Sequence, residues 1–351
     1  MKNGIYKFVE ITFSDYDASF NSSPLLSTTP FVTPEWLTFI AEAKNVSMHV
    51  VKVIDQNKSP LGFLFFGIFK IGPFRLASAP YFGWDSETMG PALIGTTTSQ
   101  QSLLKEASQY IHRVYKTSLI QFTVVEGSPC FLSNGEISQE TFTSPVVDIS
   151  KQEDILLTAF RKDVRTNIRF FAKKGGAFKP LAPNSDTFTL FYDMTLDVYR
   201  RRGMTPLYTK AFFEKMFGAF AIAHSKNRCL VLGAFNGEGA CIAISVVLIF
   251  GEEATLQCLS DYQNGPILHP IEPLIWRNIQ ELKNHGVKRF NLLGESAYKN
   301  KFAPEHRKVT RYYFGNRFLL LMQSKARSFL EKKNQKKERI AKSAKQQGFK
   351  D

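Results

Sequence analysis

The order of helix-like and strand-like patterns repeats along this chain, and the repeat constrains the fold more than any other feature of the sequence. The first copy begins with a helix at Thr33-Pro34, where a hydroxyl cap precedes a proline at the first helical position. A predicted hairpin, a second helix and a buried strand follow, at residues 49–55 with 61–70, about 99–115, and 119–124.

The second copy shows the same order. Helical patterns at residues 186–202 and 209–224 precede three strands, a helix and a last strand, at residues 229–235, 240–250, 254–259, 271–284 and 287–293. A recurring α/β order predicts two similar units fused in tandem. We therefore expect domains at 1–150 and 151–320, with a boundary near residues 144–154, and a basic tail at 321–351.

Composition and charge exclude several classes of protein. With 44% hydrophobic residues the chain is not disordered, and its longest apolar runs, at 61–69 and 240–250, are shorter than the ~20 residues of a membrane-spanning helix. Residues 1–14 carry no secretory signal, so we expect a cytoplasmic protein.

The positive charge of the chain is concentrated at its C-terminal end. Of the net charge of +14, residues 323–351 carry +7. This basic tail is either a solvated helix or a contact for anionic lipid or RNA, and the first contact would place the protein at the inner face of the membrane.

Cysteine, histidine and motif usage argue against metal or nucleotide chemistry. The cysteines at 130, 229, 241 and 258 form no C-x-x-C pair and are expected to be reduced, while the six histidines are scattered along the chain. The sequence contains no G-x-x-x-x-G-K-[ST], H-E-x-x-H or G-x-S-x-G motif. A metal centre and nucleotide hydrolysis are therefore not expected.

A basic helical pattern is the first candidate for binding. Four cations recur at four-residue spacing beside an apolar stripe, at Arg161, Arg165, Arg169 and Lys173. This face is either solvated or binds an anion, because guanidinium groups form paired hydrogen bonds with phosphate or carboxylate.

The loop after the last predicted strand is the second candidate. It reads Gly294-Glu-Ser-Ala-Tyr298-Lys299-Asn-Lys301-Phe302-Ala303. Open α/β sheets commonly bind ligands at the carboxyl ends of their strands, and a lysine there can face a developing oxyanion.

Together these two segments resemble the FemAB-like branch of the GNAT acyltransferase fold, which includes the aminoacyl transferases that build peptidoglycan cross-bridges. Its R-x-N-x-R-x-A-x-K-x-G stretch is similar to residues 165–176, with one extra residue before Ala172. Its Y-x-x-T and R-x-G patterns are similar to residues 192–195 and 201–203, its F-K-x-x-F-G motif to 298–303, and its opening motif to 30–36. Asn291 and Ala303 stand where the family usually has Asp and Gly.

The resemblance implies two tandem GNAT-like units with mixed central sheets flanked by helices, and acyl or aminoacyl transfer to an amine in the cleft between them. It implies oxyanion stabilisation by Lys299. No general base is evident from the sequence, and proton removal is left to the substrate itself or to Asp261, just beyond the third predicted strand. The substrate-binding candidates are Arg165, Arg169, Arg202, Tyr298 and Lys301.

The acyl donor is left open by the sequence. The Q/R-x-x-G-x-G/A loop of acetyl-CoA-dependent enzymes is not found, and no tightly bound cofactor is expected. Aminoacyl-tRNA, acyl-CoA and acyl carrier protein remain as donors, with a peptidoglycan or surface-polysaccharide precursor as the leading acceptor. The alternatives are an N-acyltransferase of an amino sugar or amino acid, and a non-catalytic RNA- or membrane-binding protein.

Overall fold

The computed structural model describes residues 5–22, 29–93, 102–126, 138–262, 268–315 and 319. The predicted basic helical tail at 321–351 and Cys130 lie outside these ranges. We refer to residues 5–148 as the N-terminal half and to residues 149–315 as the C-terminal half.

The N-terminal half contains three helices and seven strands in the described ranges. They are β1 (Lys7–Ile11), α1 (Phe13–Ser22), α2 (Pro34–Lys44), β2 (Ser47–Ile54), β3 (Pro60–Ile71), β4 (Phe74–Ala79), β5 (Ala92–Leu93), α3 (Leu103–Tyr115), β6 (Leu119–Val125) and β7 (Ser138–Asp148). Helix α2 starts at Thr33-Pro34 as predicted, but the Thr33 hydroxyl donates to Pro30 O at 2.9 Å instead of capping the helix.

The C-terminal half has five helices and six strands in the part of the chain that the structure describes. They are α4 (Glu153–Ala159), α5 (Lys162–Lys173), β8 (Ala177–Pro180), α6 (Ser185–Arg201), α7 (Lys210–Ser225), β9 (Cys229–Phe235), β10 (Cys241–Phe250), β11 (Glu253–Asp261), α8 (Ile271–Asn284), β12 (Arg289–Asn291) and β13 (Glu305–Gly315). A short 3₁₀ helix, Lys299–Phe302, precedes β13.

The two halves exchange their last strands. Strands β6 and β7 follow one another in the chain, but β13 lies between them and pairs antiparallel with both. In return β7 pairs with β12. One mixed sheet results, in the order β1-β2-β3-β4-β6-β13-β7-β12-β11-β10-β9-β8, with β5 beside β3. This α/β architecture confirms the predicted fold class, whereas the domain boundaries stay a prediction.

The strand order shows the repeat directly. Among the strand pairs of the described chain, two are parallel, β4 with β6 and β11 with β12, and they occupy equivalent places in the two halves. Helices α2 and α7 pack across the halves, with Trp36 stacked on Phe220 at 6.3 Å between ring centroids. The halves therefore share one hydrophobic core.

Two negative findings apply to the described residues. No helix among them is long and apolar enough to cross a membrane. They also contain no group of three or more His, Cys, Asp or Glu side chains placed to hold a metal ion. Three cysteines within these ranges, Cys229, Cys241 and Cys258, are free thiols, and burial raises the pKa of each.

Candidate functional site

A cleft opens where the parallel strands β11 and β12 separate. Their pairing ends at Thr255 and Asn291, after which β11 continues to Asp261 while the chain after β12 turns into the Lys299 loop. The cleft has a volume of about 920 Å³. Residues from both halves line it, including the segments 81–87, 256–261, 269–272 and 292–299. It lies at the carboxyl ends of parallel strands, where open α/β sheets bind ligands.

Lys299 is held at the wall of this cleft by a buried anchor and by the loop backbone. The anchor is Phe302, which is 0% exposed and packs on Phe160 at 5.3 Å between ring centroids. The Lys299 ammonium donates to Leu293 O and, at 3.1 Å, to Gly294 O. Because an ammonium has three N–H donors, a third remains for a ligand.

The charge of Lys299 is set by two opposing effects. Burial disfavours the charged ammonium and is the larger effect, while the Glu87 carboxylate favours it. The result lowers the pKa of Lys299 to about 8. The side chain is therefore cationic at neutral pH and loses its charge under mildly alkaline conditions.

Tyr298 also lines the cleft, and its buried hydroxyl has no hydrogen-bond partner in the part of the chain that the structure describes. Burial, together with the carboxylates of Glu272 and Asp261, raises the pKa of this phenol well above its usual value. The hydroxyl is thus a neutral donor. A buried donor without a partner costs about 1–3 kcal/mol, which a ligand oxygen would offset.

Asp261 and Arg202 lie in the cleft as well, but the neighbouring Arg201 determines the local geometry. Arg201 donates to Asp261 Oδ1 and to the Asp261 carbonyl, both at 2.8 Å, and its Nε donates to Asp197 at 2.9 Å. The Asp261 carboxylate is therefore held in an ion pair. Arg202 is exposed at the cleft wall.

The remaining predicted binding residues do not line this cleft. Arg165 donates to the carbonyls of Thr158 and Phe160 and so closes the turn before α5, while Arg169 is exposed on that helix. Lys301 bridges Asp163 and Glu272, at 3.1 Å from each. The role of these three cations in substrate binding stays a prediction.

Several residues that the sequence did not single out complete the site. Asp85 accepts from Gln257 at 2.8 Å and from Tyr208 at 3.3 Å, and burial raises the pKa of its carboxyl. Glu87 accepts from Arg307 at 3.0 Å. These contacts join segments more than 120 residues apart, so local patterns carry no signal for them.

The arrangement agrees with comparisons to known proteins. Residues 158–300 match the family model described as an acetyltransferase (GNAT) domain, and no curated protein sequence matches the chain. The crystal structure of FemX superposes with a TM-score of 0.67 at 11% identity, and covers 90% of this chain and 99% of FemX.

Two further structures share the fold. The C-terminal domain of a putative lysylphosphatidylglycerol synthetase from Agrobacterium fabrum gives a TM-score of 0.52 at 12% identity, covering 86% of this chain and 92% of its own. A tandem GNAT protein from the clavulanic acid biosynthesis pathway gives 0.50 at 12% identity, covering 88% and 98%. The predicted resemblance is confirmed at the level of the fold: the chain shares the fold of FemX, and residues 158–300 match the GNAT acetyltransferase family model.

Proposed function

We propose that this protein transfers an acyl or aminoacyl group to an amine of a cell-envelope precursor, a peptidoglycan or surface-polysaccharide intermediate. The observation that carries the proposal is the Lys299 ammonium, which keeps one donor available at the wall of an open cleft between separating parallel strands. The fold shared with FemX over nearly the whole chain supports the choice of acceptor class.

The chemistry follows from what this cleft can stabilise. The acceptor amine attacks the carbonyl carbon of an ester or thioester, forming a C–N bond and a tetrahedral oxyanion. Lys299 donates its third N–H to that oxygen, and the hydroxyl of Tyr298, a residue that lines the cleft, is the second proposed donor to a substrate oxygen. Collapse breaks the C–O or C–S bond, and the proton of the amine leaves with the departing oxygen or sulfur.

Proton removal is assigned to the substrate itself. The carboxylate of Asp261, the base predicted from the sequence, is engaged by Arg201. Arg202, exposed at the cleft wall, would meet a phosphate or carboxylate of the acceptor. The basic tail would bring the protein to anionic membrane, where lipid-linked envelope precursors are held.

A second candidate keeps the reaction and changes the substrates. The match to an acetyltransferase family model favours acyl-CoA or acyl carrier protein as the donor. The acceptor would then be an amino sugar or an amino acid.

The test is intact-mass spectrometry of amine acceptors incubated with each donor class. The acceptors are nucleotide-linked and lipid-linked amino sugars and muropeptide precursors; the donors are aminoacyl-tRNA, acyl-CoA and acyl carrier protein. We expect a mass gain that is about 100- to 1,000-fold slower with Lys299→Ala, the loss typical of one oxyanion donor. The matched control is Lys288→Ala, an exposed lysine paired with Glu252 at 2.6 Å, which should retain the wild-type rate.

Two results would contradict the proposal. Equal rates for Lys299→Ala and Lys288→Ala would remove Lys299 from the reaction. An acceptor that binds but gains no mass with any donor would make the chain a non-catalytic binding protein.

A further inference from the structure

Glu87 reaches the cleft from the N-terminal half, but its hydrogen-bond partners come from the C-terminal half. The carboxylate is only 5% exposed, and its Oε2 accepts from Arg307 at 3.0 Å and from the Asn291 amide at 2.9 Å. Its Oε1 is buried and accepts no hydrogen bond from the described residues. Arg307 also donates to both carboxylate oxygens of Glu253 at 2.8 Å, which fixes the guanidinium.

Asn291 connects Glu87 to the loop that holds Lys299. Its Oδ1 accepts from the Ser144 hydroxyl at 2.8 Å and from Leu293 N at 2.9 Å. The Leu293 carbonyl in turn accepts from the Lys299 ammonium. A continuous series of hydrogen bonds therefore runs from Glu87 through Asn291 and Leu293 to Lys299.

The backbone between these contacts is in an unfavourable conformation. Leu293 has φ 55°, in the left-handed region that non-glycine residues adopt only when their surroundings impose it. The two hydrogen bonds on Leu293, through its N–H and its carbonyl, hold it there. In this conformation the Leu293 carbonyl accepts a hydrogen bond from the Lys299 ammonium.

We propose that Glu87 is a positioning residue for Lys299, a carboxylate from the N-terminal half that holds the Lys299 loop through Asn291 and balances the ammonium charge. This role rests on the proposed function, because Glu87 would act on transfer only through Lys299. The residue at 291 must then be a donor toward Glu87. An amide fulfils this requirement, whereas a carboxylate at 291 would meet the Glu87 carboxylate at hydrogen-bonding distance.

The charged groups around Lys299 support the proposal that Glu87 balances the charge of its ammonium. Glu87 raises the pKa of Lys299 against the larger, opposite effect of burial. The other acidic side chains of the cleft have partners of their own: Asp85 with Gln257, Asp261 with Arg201, and Glu272 with Lys301. On the loop itself Glu295 pairs with His306 at 3.3 Å. The further basic side chains of the cleft are Arg202, Arg311 and His269.

The test measures the ionisation of Lys299 without requiring transfer. The full-length protein is labelled with trace acetic anhydride between pH 6 and 11, and mass spectrometry of the Lys299 peptide gives the midpoint of amine reactivity. Glu87→Gln, which keeps the shape of the side chain, should move that midpoint downward by at least 0.5 pH unit, about threefold in the ionisation constant. Asp261→Asn, in the same cleft, should move it less.

A second-site variant tests the hydrogen-bond arrangement. Asn291→Asp alone should slow transfer at least tenfold, because two carboxylates then meet and the Lys299 loop loses its support. Adding Glu87→Gln to Asn291→Asp restores one amide and one carboxylate at the contact. The double variant should recover at least half of the lost rate and return the Lys299 midpoint toward the wild-type value.

The outcomes separate this inference from the proposed function. A Lys299 midpoint unchanged or raised in Glu87→Gln, or a double variant no faster than Asn291→Asp, overturns the role of Glu87. A lowered midpoint in a protein that transfers nothing supports the electrostatic role of Glu87 and refutes the proposed function. Circular dichroism melting of every variant establishes that the compared proteins are folded.

Discussion

The two halves each contain one parallel strand pair, and the two pairs end differently. In the N-terminal half β4 and β6 remain linked beyond their last ladder contact, because Pro80 O, directly after β4, accepts from Gln121 of β6. The Ser78 hydroxyl of β4 donates to the same oxygen at 2.8 Å. In the C-terminal half β11 and β12 pair over three residues and then separate. Polar groups at that separation find partners in the N-terminal half: Gln257 with Asp85, and Asn291 with Glu87.

This difference shows how a repeated scaffold can carry one site. The N-terminal pair is closed by neutral side chains from its own strands. The C-terminal pair is held open by charged and amide groups from both halves, and the cleft with Lys299 lies there. The fold supplies two equivalent positions, and the side chains determine which of them can bind a substrate.

Of the substitutions that test this difference between the strand pairs, Arg307→Ala should have the largest effect, a loss of stability. The substitution leaves the buried carboxylates of Glu87 and Glu253 without their shared cation, which should lower the free energy of unfolding by about 3–5 kcal/mol. Urea denaturation measures the loss. Arg289→Ala is the control, since Arg289 is 58% exposed beside the same Glu253 and should cost under about 1 kcal/mol. Equal losses would mean that the buried contacts of Arg307 with Glu87 and Glu253 do not stabilise the C-terminal strand pair.

A smaller effect, on rate alone, is expected from Tyr298→Phe. Because the hydroxyl has no hydrogen-bond partner among the described residues, its removal should not lower the unfolding free energy, whereas transfer should slow about tenfold through the loss of one hydrogen bond to substrate. Initial rates and urea denaturation distinguish the two effects. The control is Tyr313→Phe, whose hydroxyl donates to Glu140 at 3.1 Å. A slower rate accompanied by an equal loss of stability would assign Tyr298 a structural role.

The smallest effect is expected from Gln121→Leu in the closed N-terminal pair. Pro80 O keeps its hydrogen bond from Ser78, so the cost should be about 1 kcal/mol of unfolding free energy. The transfer rate of the folded protein should not change. A tenfold loss of rate without unfolding would show that the N-terminal pair also takes part in the reaction.

The periodicity of apolar residues predicted most of the helices and strands, but it did not predict how the strands of the two halves pair. Strands such as Cys229–Phe235 and helices such as Ile271–Asn284 have clear apolar patterns and were predicted at their observed bounds. The exchanged strands β7 and β13 were missed, because their sequences mix charged, hydroxyl and apolar residues without an extended apolar run. Their pairing joins positions such as Phe142 and Val309, and no local pattern encodes contacts at that separation.

Four of the candidate residues, Lys299, Tyr298, Asp261 and Arg202, line the cleft. Their roles in the reaction stay a prediction. The regular spacing of Arg165 and Arg169 indicated a helix face correctly, but spacing cannot show which way that face points. Glu87 was missed because its partners Asn291 and Arg307 are more than 200 residues away.

In the proposed mechanism the charged form of Lys299 accelerates transfer in the cleft between β11 and β12. The most direct test is the ratio of kcat/KM for wild type to that for Lys299→Ala between pH 6 and 10. Ionisation of the acceptor amine affects both proteins equally and cancels in the ratio. With the pKa of Lys299 at about 8, the ratio should be constant below about pH 7 and fall tenfold per pH unit well above pH 8. A ratio that rises through pH 8 would show that the neutral amine of Lys299 is the active form, and it would refute oxyanion stabilisation by the ammonium.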